Sequence, residues 1–208
     1  MSTDLDTVLT TTRAVRRRLE YGRPVDRDVI RQCLALAVHA PNGGNRQDWR
    51  FVVVDDRDVL AEIAAYYRKA SSAYLAAHPP SDPAVHAATT VLAERMHEVP
   101  ALVVGCLTGR LAPDAPAGKR SSFFGSIYPA LWSFMLAARS RGLGTAPLTA
   151  QLTYEREIAG ILGIPYETTT QAAMIAVGHL TGTGMSPAPR RPVEEVLSWN
   201  RWTDPGPR

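Results

Sequence analysis

The alternation of apolar and polar positions predicts several helices separated by a few strands. Runs of β-branched and aromatic residues predict strands at 51–54, 101–107 and 171–177, with a shorter extended segment in 142–149. Between these strands, apolar residues recur at helical spacing. They predict a first helix that begins at Asp4 or Asp6, a proline-rich linker at 79–83, and helices at about 26–39, 59–77, 84–99, 122–141 and 153–163.

Residues 121–138 carry no charged side chain, which raises the question of a membrane span. The stretch contains four serines, one glycine and one proline, and Arg139 and Arg141 follow it directly. It therefore falls short of a convincing transmembrane helix. Since apolar residues occupy all of its sides, we expect a helix that is covered on every face, either in the core or between two subunits.

The composition is that of a soluble globular protein, and we expect a single domain spanning residues 1–208. Apolar residues make up 45% and charged residues 21% of the chain, which is long enough to bury a substantial core. Cys33 and Cys106 lie in apolar runs and are expected to be reduced core residues. The five histidines show no ligand spacing, so no metal site is expected. The first residues lack the basic and apolar regions of a signal peptide, which predicts a cytoplasmic protein.

Arginines crowd the N-terminal part of the chain, although the net charge is only +3. If the first helix continues, Arg13, Arg16 and Arg17 share one of its faces and repel one another unless an anion lies between them. Arginine binds phosphate through two parallel hydrogen bonds, so this cluster favours a phosphate site. A patch that binds nucleic acid and an ordinary solvated face are the alternatives.

Residues 40–49, with the sequence APNGGNRQDW, contain more turn-forming residues than a simple connection needs. Adjacent glycines let backbone amides approach a ligand closely, and Asn42, Asn45 and Gln47 offer donors and acceptors. This loop suits a flat molecule with a polar edge, such as a flavin ring. The alternative is an ordinary connection between a helix and a strand.

Large apolar side chains also follow the last predicted strand, in a tail that contains several prolines. They are Val193, Val196, Leu197, Trp199 and Trp202. A tail of this kind is not expected to stay in solvent, and we expect it to wrap a surface such as that of a partner subunit. In the helix at 59–77, the residues Tyr66, Tyr67 and Tyr74 fit either the lining of a pocket or ordinary core packing.

Four motifs occur in an order and spacing that resemble the nitroreductase-type flavin oxidoreductases, which bind FMN. They are TRAVR at 12–16, APNGGNRQDW at 40–49, LAAR followed by GLGT at 136–145, and RPVEEV at 191–196. The resemblance covers nearly the whole chain. It implies an α+β, three-layer fold in which a central, mainly antiparallel sheet is flanked by helices. It also implies an intertwined homodimer in which the C-terminal tail wraps the partner.

The same resemblance implies which residues bind FMN. The residues at its phosphate and ribityl end would be Arg13 and Arg16, the backbone of Thr12 and Ala14, and a further cation from Arg191. The residues that border the ring or the ribityl chain from the other subunit would be Pro41, Asn42, Gly43 and Asn45. The residues whose backbone passes close to the ring would be Ala146, Pro147 and Leu148.

The activity implied by the resemblance is hydride transfer from NAD(P)H, through flavin N5, to a flat electrophilic acceptor such as a nitroaromatic or a quinone. The mechanism would be ping-pong, and no side chain would be catalytic because the flavin carries the chemistry. One alternative is a specialised relative that performs reductive dehalogenation, flavin cleavage or natural-product dehydrogenation. A distant alternative is a basic nucleic-acid-binding protein, although the chain lacks a recognisable motif for that function. The expected partners are therefore small molecules and a second subunit, not nucleic acid or a membrane.

Three positions depart from residues that are common in this family. Ala14 stands where serine is frequent, which removes one hydroxyl contact. Asp48 stands where proline is frequent, and this acid either disfavours anionic substrates or pairs with Arg46 or Arg50. Tyr128 lies in a segment where alanine and asparagine are common, and we expect it to reshape the substrate side of the site.

Overall fold

An antiparallel sheet of five strands forms the middle layer of the computed structural model, which describes residues 4–77, 83–182 and 184–203. The strands are β1 (Leu19–Glu20), β2 (Trp49–Val54), β3 (Ala101–Thr108), β4 (Leu143–Leu148) and β5 (Thr169–Leu180). Strand β5 is central, because it pairs with β3, with β4 and, at its C-terminal end, with β1. Strand β2 pairs with β3 and lies at an edge of the sheet.

Helices form the outer layers. Within the described residues they are α1 (Leu5–Thr11), α2 (Arg27–Ala37), α3 (Arg57–Ala77), α4 (Pro83–Arg95), α5 (Ala117–Gly125), α6 (Tyr128–Ser140) and α7 (Glu155–Leu162). The Asp4 and Asp26 side chains cap α1 and α2 by accepting hydrogen bonds from backbone N–H groups of the first turn. The linker predicted at 79–83 lies outside the described residues, except for Pro83.

The two faces of β3 belong to two separate hydrophobic clusters. Val103 packs in one cluster with α2 and α6, which contributes the fully buried Phe134. Leu102 and Val104 pack in the other cluster with α3 and α4, to which Leu92 belongs. Successive strand residues point to opposite faces. The buried run along β3 therefore holds a helical layer on each side of the sheet, which confirms the predicted α+β, antiparallel arrangement.

The strands predicted at 51–54, 101–107 and 171–177 are confirmed, as is the extended segment that became β4. Strand β5 is longer than predicted, with twelve residues. Strand β1 was not predicted, because two residues are too few to show a period. It is defined by its pairing with β5, in which Leu19 lies opposite Leu180 in an antiparallel register.

The first helix does not continue to the arginines, so the condition under which they would share one helix face is not met. Helix α1 ends at Thr11, and Thr12 already has an extended backbone conformation. The hydroxyls of Thr11 and Thr12 donate to the carbonyls of the preceding turn, a local bond that competes with continuation of a helix. Beyond this point the chain pairs with β4, where the Val15 N–H donates to the Thr145 carbonyl at 2.8 Å.

The prediction of a single helix at 122–141 is wrong, because two helices, α5 and α6, occupy this stretch. Pro129 explains the break. It has no N–H and its ring would clash with the carbonyl four residues earlier, so it is tolerated only in the first turn of a new helix. Trp132, on α6, is 40% exposed. The expectation that every face of this helix is covered therefore does not hold within one chain.

The described part of the C-terminal tail contains a short 3-10 turn at Val193–Glu195 and a bend at residues 199–201, where Asn200 has a positive φ angle of 63°. Its large apolar side chains are exposed, with Trp199 at 78% and Trp202 at 88%. None of the helices in the described ranges has the length and hydropathy of a membrane-spanning helix.

Candidate functional site

The N-terminal segment that follows α1 lies beside β4. Ala14 forms a parallel bridge with Thr145. The structure therefore brings together two sets of predicted site residues. The first set is Thr12, Arg13, Ala14 and Arg16, and the second is Ala146, Pro147 and Leu148. In the second set Ala146 and Leu148 are buried and Pro147 is exposed, so this strand offers a ligand its backbone and the proline ring.

Four arginines lie between Thr12 and Leu19, and they form two pairs that differ in whether their side chains bond to the rest of the chain. Arg17 donates to the Ala84 carbonyl at 2.8 Å, and Arg18 donates to the Thr181 and Gly184 carbonyls. These two arginines hold the N-terminal segment against α4 and the start of the tail. Arg13 and Arg16, in contrast, form no side-chain hydrogen bond or ion pair within the described part of the chain, and the buried Nε of Arg16 has no partner there.

Arg16 opens into a cavity of about 370 Å³, which we call the Arg16 cavity. It lies between α3, α4 and the end of β4, and is lined by Arg16, Tyr67, Ser71, Tyr74, Leu75, Val85, Thr89 and residues 147–150. No acidic residue occurs among these. A guanidinium with an unpartnered N–H in a cavity without carboxylates favours an anionic ligand, because burying an uncompensated charge is costly.

Two hydroxyl groups on α3 face the same cavity as Arg16. Burial raises the pKa of the Tyr67 phenol, and this effect outweighs the lowering by Ser71 and by the positive charge of Arg16. Tyr67 therefore remains protonated at neutral pH and is able to donate a hydrogen bond. Ser71 is 2% exposed, and its hydroxyl lies next to the Tyr67 phenol, whose pKa it lowers through a hydrogen bond.

The loop at 41–48, here called the asparagine loop, has a backbone that few sequences adopt. Gly44, Asn45 and Gln47 all have positive φ angles, of 61°, 52° and 53°. Asparagine and glycine tolerate this left-handed region best. The Asn42 Oδ1 accepts from the Gln47 N–H at 3.1 Å, and the Asn45 Oδ1 accepts from the Gln47 side chain at 3.0 Å. These amides thus shape the loop, whereas the sequence suggested that they are free for a ligand.

Ser126, between α5 and α6, fixes the asparagine loop in place. Its hydroxyl accepts from the Gly43 N–H at 2.9 Å, and its carbonyl accepts from the Trp49 indole at 2.5 Å. A second cavity, of about 180 Å³, lies at this junction between the loop, Lys119 and Phe123. It shares no lining residue with the Arg16 cavity.

The two residues that depart from the family pattern here both have partners. Asp48 forms an ion pair with Arg46 at 2.8 Å, so the acid is neutralised within the loop, as one of the two alternatives predicted. The Tyr128 hydroxyl donates to the Ala172 carbonyl at 3.2 Å, and its ring stacks on Phe124. Tyr128 nevertheless stays 44% exposed.

The predicted site residues therefore lie in three places in one chain. The Arg16 cavity and its strand β4 form one group, and Pro41, Asn42, Gly43 and Asn45 form a second group in the asparagine loop. Arg191, in the tail, is exposed and has no ion pair with the described residues. Ser71 and Ser126 could not be found from sequence, because a serine in a helical stretch has no distinctive pattern. Within residues 4–77, 83–182 and 184–203, no three His, Cys, Asp or Glu side chains are close enough to hold a metal ion.

Comparison with known proteins identifies the family of the chain. A sequence model of the Nitroreductase family matches residues 9–179. The chain belongs to the nitroreductase family. This nitroreductase-family chain is 25% identical over 210 residues to an NADH dehydrogenase of Thermus thermophilus, a match that covers 94% of this chain and 96% of the relative.

A second relative is a 5,6-dimethylbenzimidazole synthase of Rhodospirillum rubrum. It is 34% identical over 138 residues, which is 62% of this chain and 63% of that protein. Among solved structures, an iodotyrosine deiodinase bound to FMN and 3-iodo-L-tyrosine has the same fold. It superposes with a TM-score of 0.71 at 21% identity, over 96% of this nitroreductase-family chain and 100% of the other.

Proposed function

We propose that this chain is an FMN-dependent oxidoreductase that takes electrons from NAD(P)H and passes them to a flat electrophilic acceptor, such as a nitroaromatic or a quinone. The observation that carries the proposal is the buried, unpartnered Nε of Arg16 in a cavity that β4 borders. The deiodinase of the same fold holds FMN, and the Thermus relative is named an NADH dehydrogenase, which supports the same conclusion. FMN would supply the redox chemistry through N5, in a ping-pong cycle that serves the two substrates in turn.

The residues of this chain would bind and orient the flavin. Arg13 and Arg16 would hold the phosphate and ribityl end, since their guanidinium groups form no hydrogen bond or ion pair with the described part of the chain. The backbone of β4 would lie along the ring, because the side chains of Ala146 and Leu148 point into the core. Ala14 offers only backbone at the position next to them. No side chain of the site would need to act as an acid or a base, because the flavin would carry the chemistry.

We also propose that the site is shared by two copies of the chain. The asparagine loop lines a different cavity from the one that contains Arg16, which supports a site completed by a second chain. A second copy would supply the loop. The exposed large apolar residues of the tail and Trp132 on α6 support this homodimer, because exposed apolar surface that is grouped together often marks an interface. The exposed Arg191 would then reach the phosphate from the tail.

The visible spectrum of the purified protein tests the proposed function. After FMN is added and excess removed, we expect a flavin band at about 450 nm that is bleached anaerobically by NADH or NADPH and restored by menadione or nitrofurazone. The same titration shows which nicotinamide is the donor. A protein that remains colourless contradicts the proposal and favours the nucleic-acid-binding alternative.

Replacing Arg16 by alanine tests the placement of the phosphate. Loss of one charge-assisted contact, worth about 1.5–3 kcal/mol, should weaken FMN binding by about 10- to 150-fold. The control is Arg17→Ala, because Arg17 donates to a backbone carbonyl and not into the cavity. Equal affinities for the two variants would show that the phosphate lies elsewhere.

Light scattering tests the dimer. The single chain has a mass of 22.6 kDa, and we expect twice this value for the protein that carries flavin. A species of single-chain mass that retains FMN would make a shared site untenable.

A second candidate function is a specialised reaction of the same fold, the flavin cleavage expected from the 34% identity to a 5,6-dimethylbenzimidazole synthase. Chromatography of the product formed from FMN, an NAD(P)H donor and oxygen distinguishes the two functions. Accumulation of 5,6-dimethylbenzimidazole, with slow use of quinones and nitroaromatics, would favour the specialised reaction. Rapid turnover of those acceptors with intact flavin supports the general reductase.

A further inference from the structure

The chain bends at Arg16, where it leaves the side of β4, and both ends of this bend are fixed. Before the bend, the Val15 N–H donates to the Thr145 carbonyl at 2.8 Å. After the bend, Leu19 begins β1 and lies opposite Leu180. Arg16 lies between these two points, and its side chain lines the Arg16 cavity. The direction of that side chain therefore depends on what holds the backbone of Arg16.

The carbonyl of Arg16 is held mainly by the side chain of Tyr21. The Tyr21 hydroxyl donates to this carbonyl at 3.0 Å, whereas the Leu19 N–H, which would close an ordinary turn, is 3.5 Å from it. The longer distance lies outside the usual range of an N–H···O bond, so the tyrosine is the stronger donor. Burial raises the pKa of its phenol, so the hydroxyl keeps its proton and is able to donate at neutral pH.

Tyr21 is itself held in place by the end of α4. The Arg95 guanidinium lies over the tyrosine ring, with its Cζ atom 4.0 Å from the ring centroid. The same guanidinium donates two hydrogen bonds to the Glu98 carboxylate, at 3.0 and 2.6 Å. The Glu98 carbonyl accepts a further bond from the Gly22 N–H at 2.9 Å. These contacts restrict the ring and keep its hydroxyl directed at the carbonyl of Arg16.

Arg16 is able to bind an anion in the cavity only while its guanidinium points inward. A protein that adopts its binding geometry for a fraction of the time loses affinity in proportion to that fraction. We propose that Tyr21 is a positioning residue of this site, because its hydroxyl fixes the carbonyl of Arg16, keeps the guanidinium in the cavity and thereby strengthens the binding of FMN. This inference rests on the proposed function. Tyr21 belongs to none of the four motifs that resemble the family.

A double-mutant cycle tests the proposal, because a residue that acts through Arg16 has no effect once that guanidinium is absent. The variants are Tyr21→Phe, Arg16→Ala and their combination, and quenching of flavin fluorescence measures their affinity for FMN. Tyr166→Phe is the matched control. An arginine guanidinium also lies over the Tyr166 ring, at 3.9 Å, but this residue precedes β5, whereas Tyr21 follows β1 at the opposite end of that strand.

Thermal unfolding of the flavin-free proteins shows whether each variant is folded. If Tyr21→Phe is not folded, Arg95→Met takes its place in the cycle under the same criteria. That substitution removes the guanidinium that restricts the ring and leaves the tyrosine hydroxyl present.

In the presence of Arg16, we expect Tyr21→Phe to weaken FMN binding by about 3- to 10-fold, within the range that one neutral hydrogen bond provides. In the Arg16→Ala background the same substitution should change the affinity by less than about twofold, as should the control in the wild type. An equal loss in both backgrounds overturns the inference, because it shows a general effect on the structure. Unchanged affinity in Tyr21→Phe, or in Arg16→Ala, also overturns it when the wild type binds FMN. A wild type that binds no FMN overturns the proposed function as well.

Discussion

Gly43 is the point at which the asparagine loop meets α5, and its replacement by alanine tests that contact directly. A Cβ atom at this position would lie 2.5 Å from Ser122 Oγ and 3.3 Å from Ser126 Oγ. Ordinary van der Waals contact begins at 3.4 Å. The loop is also unable to move away freely, because the Gly43 N–H is bonded to Ser126 Oγ.

The cost of Gly43→Ala follows from these distances. Forcing a methyl group into a packed contact costs about 1–3 kcal/mol. The closest atom ends the short side chain of Ser122, which can rotate, so we expect the lower part of this range, about 1–2 kcal/mol. For a chain of this length that corresponds to a Tm lower by about 2–8 °C. Urea unfolding of the flavin-free protein, followed by circular dichroism, measures the difference in free energy of unfolding.

A double-mutant cycle separates this clash from other effects of the substitution. Ser122→Ala removes the Oγ that the new methyl group would meet, so it should recover most of the stability lost in Gly43→Ala. Gly44→Ala is the matched control. Its cost, about 1–2 kcal/mol, comes from the positive φ angle and not from a clash, since the nearest atom belongs to Arg46 at 3.8 Å. Ser122→Ala should therefore not rescue Gly44→Ala.

Additive behaviour would refute the reasoning. If the free-energy changes of Gly43→Ala and Ser122→Ala simply add to within about 0.5 kcal/mol, the two groups are not in steric conflict. A rescue of both glycine variants by Ser122→Ala would show instead that the serine substitution stabilises α5 generally.

Three further predictions concern stability and reactivity. Glu155 accepts hydrogen bonds from a partly buried arginine and from a β5 N–H, so Glu155→Ala should lower the free energy of unfolding by about 1.5–3 kcal/mol. The exposed Glu157→Ala, in the same helix, should change it by less than about 0.5 kcal/mol in urea unfolding. Burial raises the pKa of the Cys33 and Cys106 thiols, that of Cys106 to about 12, so a thiol reagent at about pH 8 should label both cysteines only after unfolding. A hydrogen bond from an α2 arginine lowers the pKa of Asp55, so its stabilisation is complete above the usual value of about 3.9. That stabilisation is lost as the pH falls through the lowered value, and the stability advantage of the wild type over Asp55→Asn should shrink only below about pH 4.

Strands β3 and β5 could be predicted from the sequence because they are buried on both faces. The residues of β3 point alternately into two hydrophobic clusters, which leaves a continuous apolar run that is easy to recognise. The boundaries of helices were harder. The apolar pattern continues across 122–141, although Pro129 prevents one helix from doing so. A single residue without an N–H decided the local structure there, in agreement with elementary backbone chemistry but against the periodicity.

The candidate site could be predicted only in part, for a related reason. Arg13 and Arg16 stand out because arginines without carboxylates nearby need an anion, and the structure leaves both without a partner in the described chain. The role of Arg17 and Arg18 depends on carbonyl groups that are distant in the sequence. Ser71 becomes notable only when a cavity forms beside it. Pattern reasoning identifies residue types that suit a ligand, but tertiary structure decides which of them are already occupied.

The central position of β5 has a consequence for the synthesis of this protein. The strand begins at Thr169, after about four-fifths of the 208 residues, yet β1, β3 and β4 all pair with it. Until β5 has left the ribosome, β3 is able to pair only with β2, and the backbone groups along its other edge remain unpaired. Pairing between segments so distant in the chain slows folding and exposes the nascent protein to aggregation. A chain interrupted before Thr169 lacks the strand that joins its sheet, so translation has to reach the last fifth of the message before the enzyme fold can close.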